Sequence, residues 1–122
     1  LDLGVTEPSD ANWSYPVVVV PKLGGRFRWW ANHRLLIELA VKNVYRIPRA
    51  DDCPDFLGDA MVFSTMECIA GYWQIPVAAE DREKTTLTSH TGLFRFLRLT
   101  FGLVSAPASF QRASDIIFTG VG

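Results

Sequence analysis

The sequence predicts an α+β domain in which helices lie on one side of an antiparallel sheet. Three observations lead there. Residues 17–20 are four valines, residues 23–25 are Leu-Gly-Gly, and residues 26–32 alternate Phe27, Trp29 and Ala31 against Arg28, Trp30 and Asn32, the pattern of a β-hairpin with a buried first strand. Residues 85–89 are rich in threonine and face Phe94, Phe96 and either Leu97 or Leu99 across a His90-Thr91-Gly92 turn, a second strand pair. Near the end, Phe110, Ala113, Ile116 and Ile117 recur at helical spacing behind Ser105 and Pro107, a capping residue and a first-turn proline, so the stripe reads as core.

Taken in order, residues 1–4 read as the last turn of a helix with Gly4 in the left-handed cap position, and residues 5–9 as an extended turn. After the hairpin, the leucine-rich residues 34–41 predict a short helix. Residues 45–49 are extended, because the residue before Pro48 avoids the helical region. A helix over 49–57 follows, with acidic residues near its start and Gly58 at its end, and Pro54 either falls in its first turn or kinks it. Residues 60–68 predict an apolar strand that ends on Glu67 and Cys68 and turns through Gly71 into Tyr72 and Trp73. A carboxylate at a strand end is held by buried backbone yet faces outward, which suits a metal ligand, although it equally suits a solvated edge charge. Residues 80–83 predict a short surface helix, and the alternation after Phe94 breaks near Arg98, a bulge or a strand end. No segment repeats or is of low complexity.

At 122 residues with 48% hydrophobic side chains, the chain is long enough to bury a core as one domain. Twelve basic and 13 acidic residues nearly cancel, but their distribution is uneven. Residues 22–49 hold Lys22, Arg26, Arg28, Arg34, Lys42, Arg46 and Arg49 against Glu38, whereas residues 51–83 hold eight carboxylates against Arg82. A basic block suits phosphate and an acidic block suits cations, and both also suit ordinary solvated surface. Arg26 and Arg28 share one face of the second hairpin strand, where two guanidinium forks can grip phosphate or simply confer solubility. Cys53 and Cys68 are too far apart for a metal knuckle and too few for a disulfide framework, so both are expected reduced, buried and intracellular. The start lacks the pattern of a signal peptide, and the apolar run at 16–21 is far short of the roughly 20 residues that cross a bilayer, so no membrane association is expected. The chain begins without Met and ends straight after a helical pattern, as a piece cut from something longer would.

Several blocks now combine. They are Leu-Gly-Val-Thr-Glu-Pro-Ser at 3–9, Trp-Ser-Tyr-Pro-Val-Val-Val-Val-Pro-Lys at 13–22, the stretch 28–34, and Tyr-Arg-Ile-Pro-Arg-Ala-Asp-Asp at 45–52. Phe-Ser-Thr at 63–65, Gly-Tyr-Trp-Gln-Ile-Pro at 71–76, Glu-Asp-Arg-Glu-Lys-Thr-Thr at 80–86 and Phe-Gly-Leu-Val-Ser-Ala-Pro-Ala-Ser-Phe-Gln-Arg at 101–112 complete the set. In this order and spacing they resemble the fingers and first part of the palm of a reverse transcriptase, in particular that of gypsy-type LTR retrotransposons. The resemblance implies one partial polymerase domain, with about 1–60 in the fingers and about 61–122 forming the start of the palm plus a returning fingers segment.

It also implies residue roles. Glu67 stands where the family has its first catalytic aspartate, and the Cys68 backbone carbonyl would reach the same divalent ion. Tyr72 matches the steric gate under the nucleotide sugar, Arg28 the fingers arginine on the triphosphate, and Lys22 or Leu23 the fingers lysine. Phe101 and Gly102 match the loop beside the nucleotide pocket. Pro107, Phe110 and Gln111 match the helix that backs the template grip, and Arg26 and Arg34 join them as nucleic-acid contacts. The implied partners are an RNA or DNA template–primer and dNTP. The implied cofactor of an intact parent is Mg²⁺ or Mn²⁺, held weakly or not at all by this chain.

Nucleotide addition needs several carboxylates around two metal ions. The family's other two lie in a Tyr/Phe-x-Asp-Asp hairpin beyond the Phe110 helix, and this sequence does not contain it. Thumb, ribonuclease H and integrase regions of the implied polyprotein are absent as well. Four positions depart from the family pattern: Glu67 replaces Asp, Asn32-His33 replaces Asp-Tyr, and Ile37 replaces Asn. The extra methylene of Glu67 moves a ligand on the order of 1 Å, which can cost about a hundredfold in rate. Three readings therefore stand: a segment of an RNA-directed DNA polymerase inactive by itself, a non-catalytic nucleic-acid-binding remnant, and a remnant that folds poorly or serves as an interaction surface. Its expected place is a cytoplasmic particle or the nucleus.

Overall fold

A computed structural model describes residues 3–41 and 44–121, and all side chains within them except those of residues 53 and 56. Part of the helical turn expected at 1–4, the basic Lys42 and the burial expected of Cys53 thus lie outside the described residues. Five strands form one sheet in the order β1-β5-β4-β2-β3: β1 (Thr6–Pro8), β2 (Tyr15–Lys22), β3 (Arg26–Ala31), β4 (Leu87–Ser89) and β5 (Gly92–Phe96). Among the described residues three α-helices accompany it, α1 (Arg34–Leu39), α2 (Cys53–Leu57) and α3 (Ala106–Ile117), with short 3-10 turns between. The architecture is α+β and the sheet mostly antiparallel, with one parallel pair where Tyr15 and Pro16 of β2 meet Leu87 and Thr88 of β4. Among the described residues no helix is long and apolar enough to cross a membrane.

The two hairpins form as the sequence indicates. Gly24 and Gly25 take φ of +95° and +74° in the turn that sets Lys22 opposite Arg26, and β4 and β5 pair through Ser89 and Gly92. Residues 6–8, expected as a turn, instead form β1, because β5 offers a free edge and pairs Thr6 with Phe96 and Pro8 with Phe94. A 2.7 Å ion pair from Arg95 Nε to Glu7 Oε1 crosses the same two strands. Buried Thr85 and Thr86 close their own turns. Their hydroxyls donate to the Arg82 and Glu83 carbonyls at 2.6 Å each, while the Phe96 amide donates to Thr85 Oγ1 at 2.9 Å.

Five further expectations fail. The valines of β2 are not a buried strand: β4 covers only Tyr15 and Pro16, so residues 17–22 pair with β3 alone in a two-stranded arm, and Val18, Val19 and Val20 remain more than 40% exposed. Residues 60–68 form no strand, since no other strand pairs with them and an unpaired strand leaves its backbone polar groups to water. Cys68, on that segment, is exposed rather than buried. Ser105 precedes α3 but does not cap it: its φ, ψ of −87°, −5° are helical rather than extended, and its side chain makes no capping hydrogen bond. The stripe on α3 is core only at its start, because Ile116 and Ile117 are exposed.

The buried apolar residues are correspondingly small and few. Val77, Leu99 and Ala106 pack together with Tyr72, Ile75 and Leu103 against them. The accessible surface is 9805 Å², whereas a close-packed 13.6 kDa monomer exposes about 6,600 Å². Much apolar surface thus remains in water, including Met61, Val62, Met66 and Ile69.

Candidate nucleotide and nucleic-acid site

The alternation of β3 places Arg28 and Trp30 on one face, and this face meets the loop before α3. The Arg28 guanidinium lies 5.5 Å above the Phe101 ring, and the Trp30 ring centroid is 5.8 Å from that of Phe101. Phe101 in turn meets Tyr72 edge-on at 5.0 Å, and Tyr72 meets Phe110 edge-on at 5.6 Å. A continuous line of contacts, Arg28 to Phe101 to Tyr72 to Phe110, therefore joins the hairpin, the loop, the Gly71 turn and α3.

Two glycines permit these approaches. At Gly102 the backbone takes φ of +91°, and a Cβ there would lie 3.0 Å from Trp30 Nε1, 3.3 Å from the Ala31 carbonyl oxygen and 3.7 Å from His33 Nδ1. At Gly71 a Cβ would lie 2.9 Å from the Phe110 ring. The Tyr72 turn is itself anchored: the Val77 amide donates to the Leu97 carbonyl and the Leu99 amide to the Ile75 carbonyl, each at 2.9 Å, so the chain past β5 holds it. Ala70 enters the turn at φ of +49°, an uncommon conformation for a residue with a Cβ.

Of the residues singled out from sequence, Arg28, Tyr72, Phe101, Gly102 and Phe110 thus come together. Lys22 and Arg26 pair in register at the exposed hairpin tip. Arg34 opens α1, where its amide donates to Asn32 Oδ1 at 3.3 Å. Pro107 sits in the first turn of α3, and the Gln111 amide donates to Asp115 Oδ1 at 2.8 Å. Glu67 is exposed and makes no hydrogen bond or ion pair with another described residue. Among the described residues no three His, Cys, Asp or Glu side chains gather as metal ligands.

Sequence reading passed over two participants. Trp30 was placed on the Arg28 face by its period of two, and that was signal enough. His33 had no such signal. It is only 2% exposed, packs edge-on to Tyr15 at 5.1 Å and Phe96 at 6.4 Å, and among the described residues neither ring nitrogen has a hydrogen-bond partner. Burial pushes its pKa below the ordinary histidine value, and the neighbouring Thr85 backbone offsets this in part. A cavity of about 870 Å³ lies elsewhere, between α1, Ile75–Ala78 and the start of α3, and includes none of the Arg28–Phe110 contacts.

No protein-family model matches the chain. Over 118 residues it is 37% identical to the retrovirus-related Pol polyprotein from transposon gypsy of Drosophila melanogaster, covering 92% of this chain and 11% of that one. Over 83 residues it is 40% identical to an RNA-directed DNA polymerase homolog of Oenothera berteroana, covering 68% of this chain and 58% of that one. The chain is a reverse-transcriptase-related segment of the gypsy type. A foamy viral protease-reverse transcriptase solved in complex with dsDNA superposes on the segment with a TM-score of 0.84. The match covers 98% of the segment and 25% of that chain at 18% identity, a likeness of fold. The segment spans only 10–12% of the retrotransposon polyproteins it matches.

Proposed function

We propose that the segment is the fingers and opening part of the palm of a retrotransposon RNA-directed DNA polymerase. In this reading residues to about 60 belong to the fingers, and residues 61–122 to the palm plus a returning fingers segment. The return of β4 and β5 to the sheet of β2 and β3 supports that division. The observation that carries the proposal is the unbroken contact from Arg28 through Phe101 and Tyr72 to Phe110.

Among the described residues Arg28 has no carboxylate partner, so its charge and its fork of donors are offered to the triphosphate of a dNTP, with Lys22 as a second cation. Tyr72, held edge-on by two rings, forms a wall under the sugar that leaves no room for a 2′-hydroxyl. Phe101 and Gly102 border that pocket. Arg26, Arg34, Pro107, Phe110 and Gln111 face an RNA or DNA template–primer.

Template-directed transfer in this class relies on divalent ions held by several carboxylates. Glu67 and the Cys68 carbonyl lie on an unpaired, exposed segment with no further ligands among the described residues, so the described residues do not compose a metal centre and no transfer step is assigned to them. Arg26 and Arg28 on β3 support nucleic-acid binding as the property of this chain to test. The test is fluorescence anisotropy with a labelled primer–template duplex. Affinity should fall steeply with salt and weaken further when Arg26 and Arg28 become Ala; salt-independent or undetectable binding overturns the reading.

A further inference from the structure

We propose that Tyr45 and Asp115 are positioning residues that set the orientation of Gln111 for nucleic acid. The inference rests on the reading above, in which Gln111 faces the template–primer. Gln111 and Asp115 are one helical turn apart on α3, and Gln111 Nε2 donates to Asp115 Oδ1 at 2.8 Å. Tyr45, 70 residues away in sequence on the irregular segment after α1, donates its hydroxyl to the other oxygen, Oδ2, at 2.7 Å. One carboxylate therefore accepts from two side chains at once.

This arrangement decides which end of the Gln111 amide points where. A carboxylate accepts and never donates at neutral pH, so it selects the NH₂ end and turns the carbonyl oxygen away. That oxygen has no partner among the described residues. It is an acceptor for a donor on nucleic acid, such as a sugar hydroxyl or a base amino group. A Gln–Asp pair one turn apart on an exposed helix is weak by itself, because both side chains keep most of their rotamers. Tyr45 supplies the missing restraint: its hydroxyl fixes Asp115 from outside the helix. A tyrosine hydroxyl is protonated at neutral pH, and the bond to Asp115 raises its pKa further. Phe110, one residue before Gln111, packs on Tyr72, so the Gln111–Asp115 pair lies on the same helix as one end of the Arg28–Phe110 line of contacts.

The test compares wild type, Tyr45→Phe, Gln111→Ala and the double variant for anisotropy with a labelled RNA/DNA hybrid at fixed salt. Tyr45→Phe is the lead variant because it changes no charge, whereas altering Asp115 removes a repulsion from phosphate. Each single variant is expected to weaken binding about threefold to tenfold, and the double no more than Gln111→Ala alone, since Tyr45 acts only through that amide. The side-chain amide resonances of Gln111 in the free protein should shift in Tyr45→Phe while the backbone spectrum persists. Unshifted resonances, wild-type affinity of Tyr45→Phe beside a weakened Gln111→Ala, or additive losses overturn the positioning role. Wild-type affinity of Gln111→Ala instead overturns the assignment of Gln111 to the nucleic-acid face.

Discussion

Gly102→Ala should destabilise the protein by about 2–4 kcal/mol, in two separable parts. The first is backbone strain, about 1–2 kcal/mol, because φ there is +91° and an L side chain meets its own carbonyl. The second is contact. The added methyl would stand 3.0 Å from Trp30 Nε1 and 3.3 Å from the Ala31 carbonyl oxygen, and the latter cannot yield without moving β3, so overpacking adds about 1–2 kcal/mol. Gly24 is a matched control. Its φ is +95° and nothing lies within 4 Å of its would-be Cβ, so Gly24→Ala carries the strain alone. Unfolding entropy of about 2.1 cal/mol/K per residue makes 1 kcal/mol equal to about 4 °C for 122 residues. Thermal melts followed by tryptophan fluorescence should therefore fall by about 8–16 °C for Gly102→Ala and about 4–8 °C for Gly24→Ala. If Gly102→Ala melts no lower than Gly24→Ala, the loop does not press against β3 and the site geometry is refuted.

Acid should weaken the fold through His33. Its folded pKa lies below its unfolded value of 6.5, so its stabilisation is complete above pH 6.5 and is lost as pH falls from there toward the depressed folded value. The slope is at most about 1.4 kcal/mol per pH unit. Urea midpoints at pH 7.5 and 5.5 should show a drop in wild type that His33→Phe shrinks, and an equal drop in both would exonerate His33. A double-mutant cycle of Arg28→Ala with Phe101→Leu should return a coupling of about 0.5–1 kcal/mol, whereas additive effects would mean the cation and ring do not interact. Mn²⁺ titration, read by paramagnetic broadening, should find at most a weak site that disappears in Glu67→Ala. Tight binding that survives the substitution would place the ion elsewhere.

Arg28, Tyr72, Phe101, Gly102 and Phe110 were each marked by local sequence blocks, and the structure brings them into one line of contacts. Arg28 and Trp30 share a face for the simplest of reasons, the period of two along β3. The misread strands have a common source in pairing. Residues 60–68 have the composition of a strand, but composition does not supply a neighbouring strand, and Glu67 is left on unpaired chain. Residues 6–8 look like a turn until β5 presents an edge.

By itself the sequence determined the hairpins, the short helices, α3 and the family, because these follow from periods, glycine turns and ordered motifs that are local along the chain. Only the tertiary structure decided that Phe101 bridges Arg28 and Tyr72, that His33 is buried without a hydrogen-bond partner among the described residues, and that Tyr45 reaches Asp115 across 70 residues. Such contacts depend on which surfaces the chain closes upon, and no local pattern encodes a distance between residues far apart in sequence.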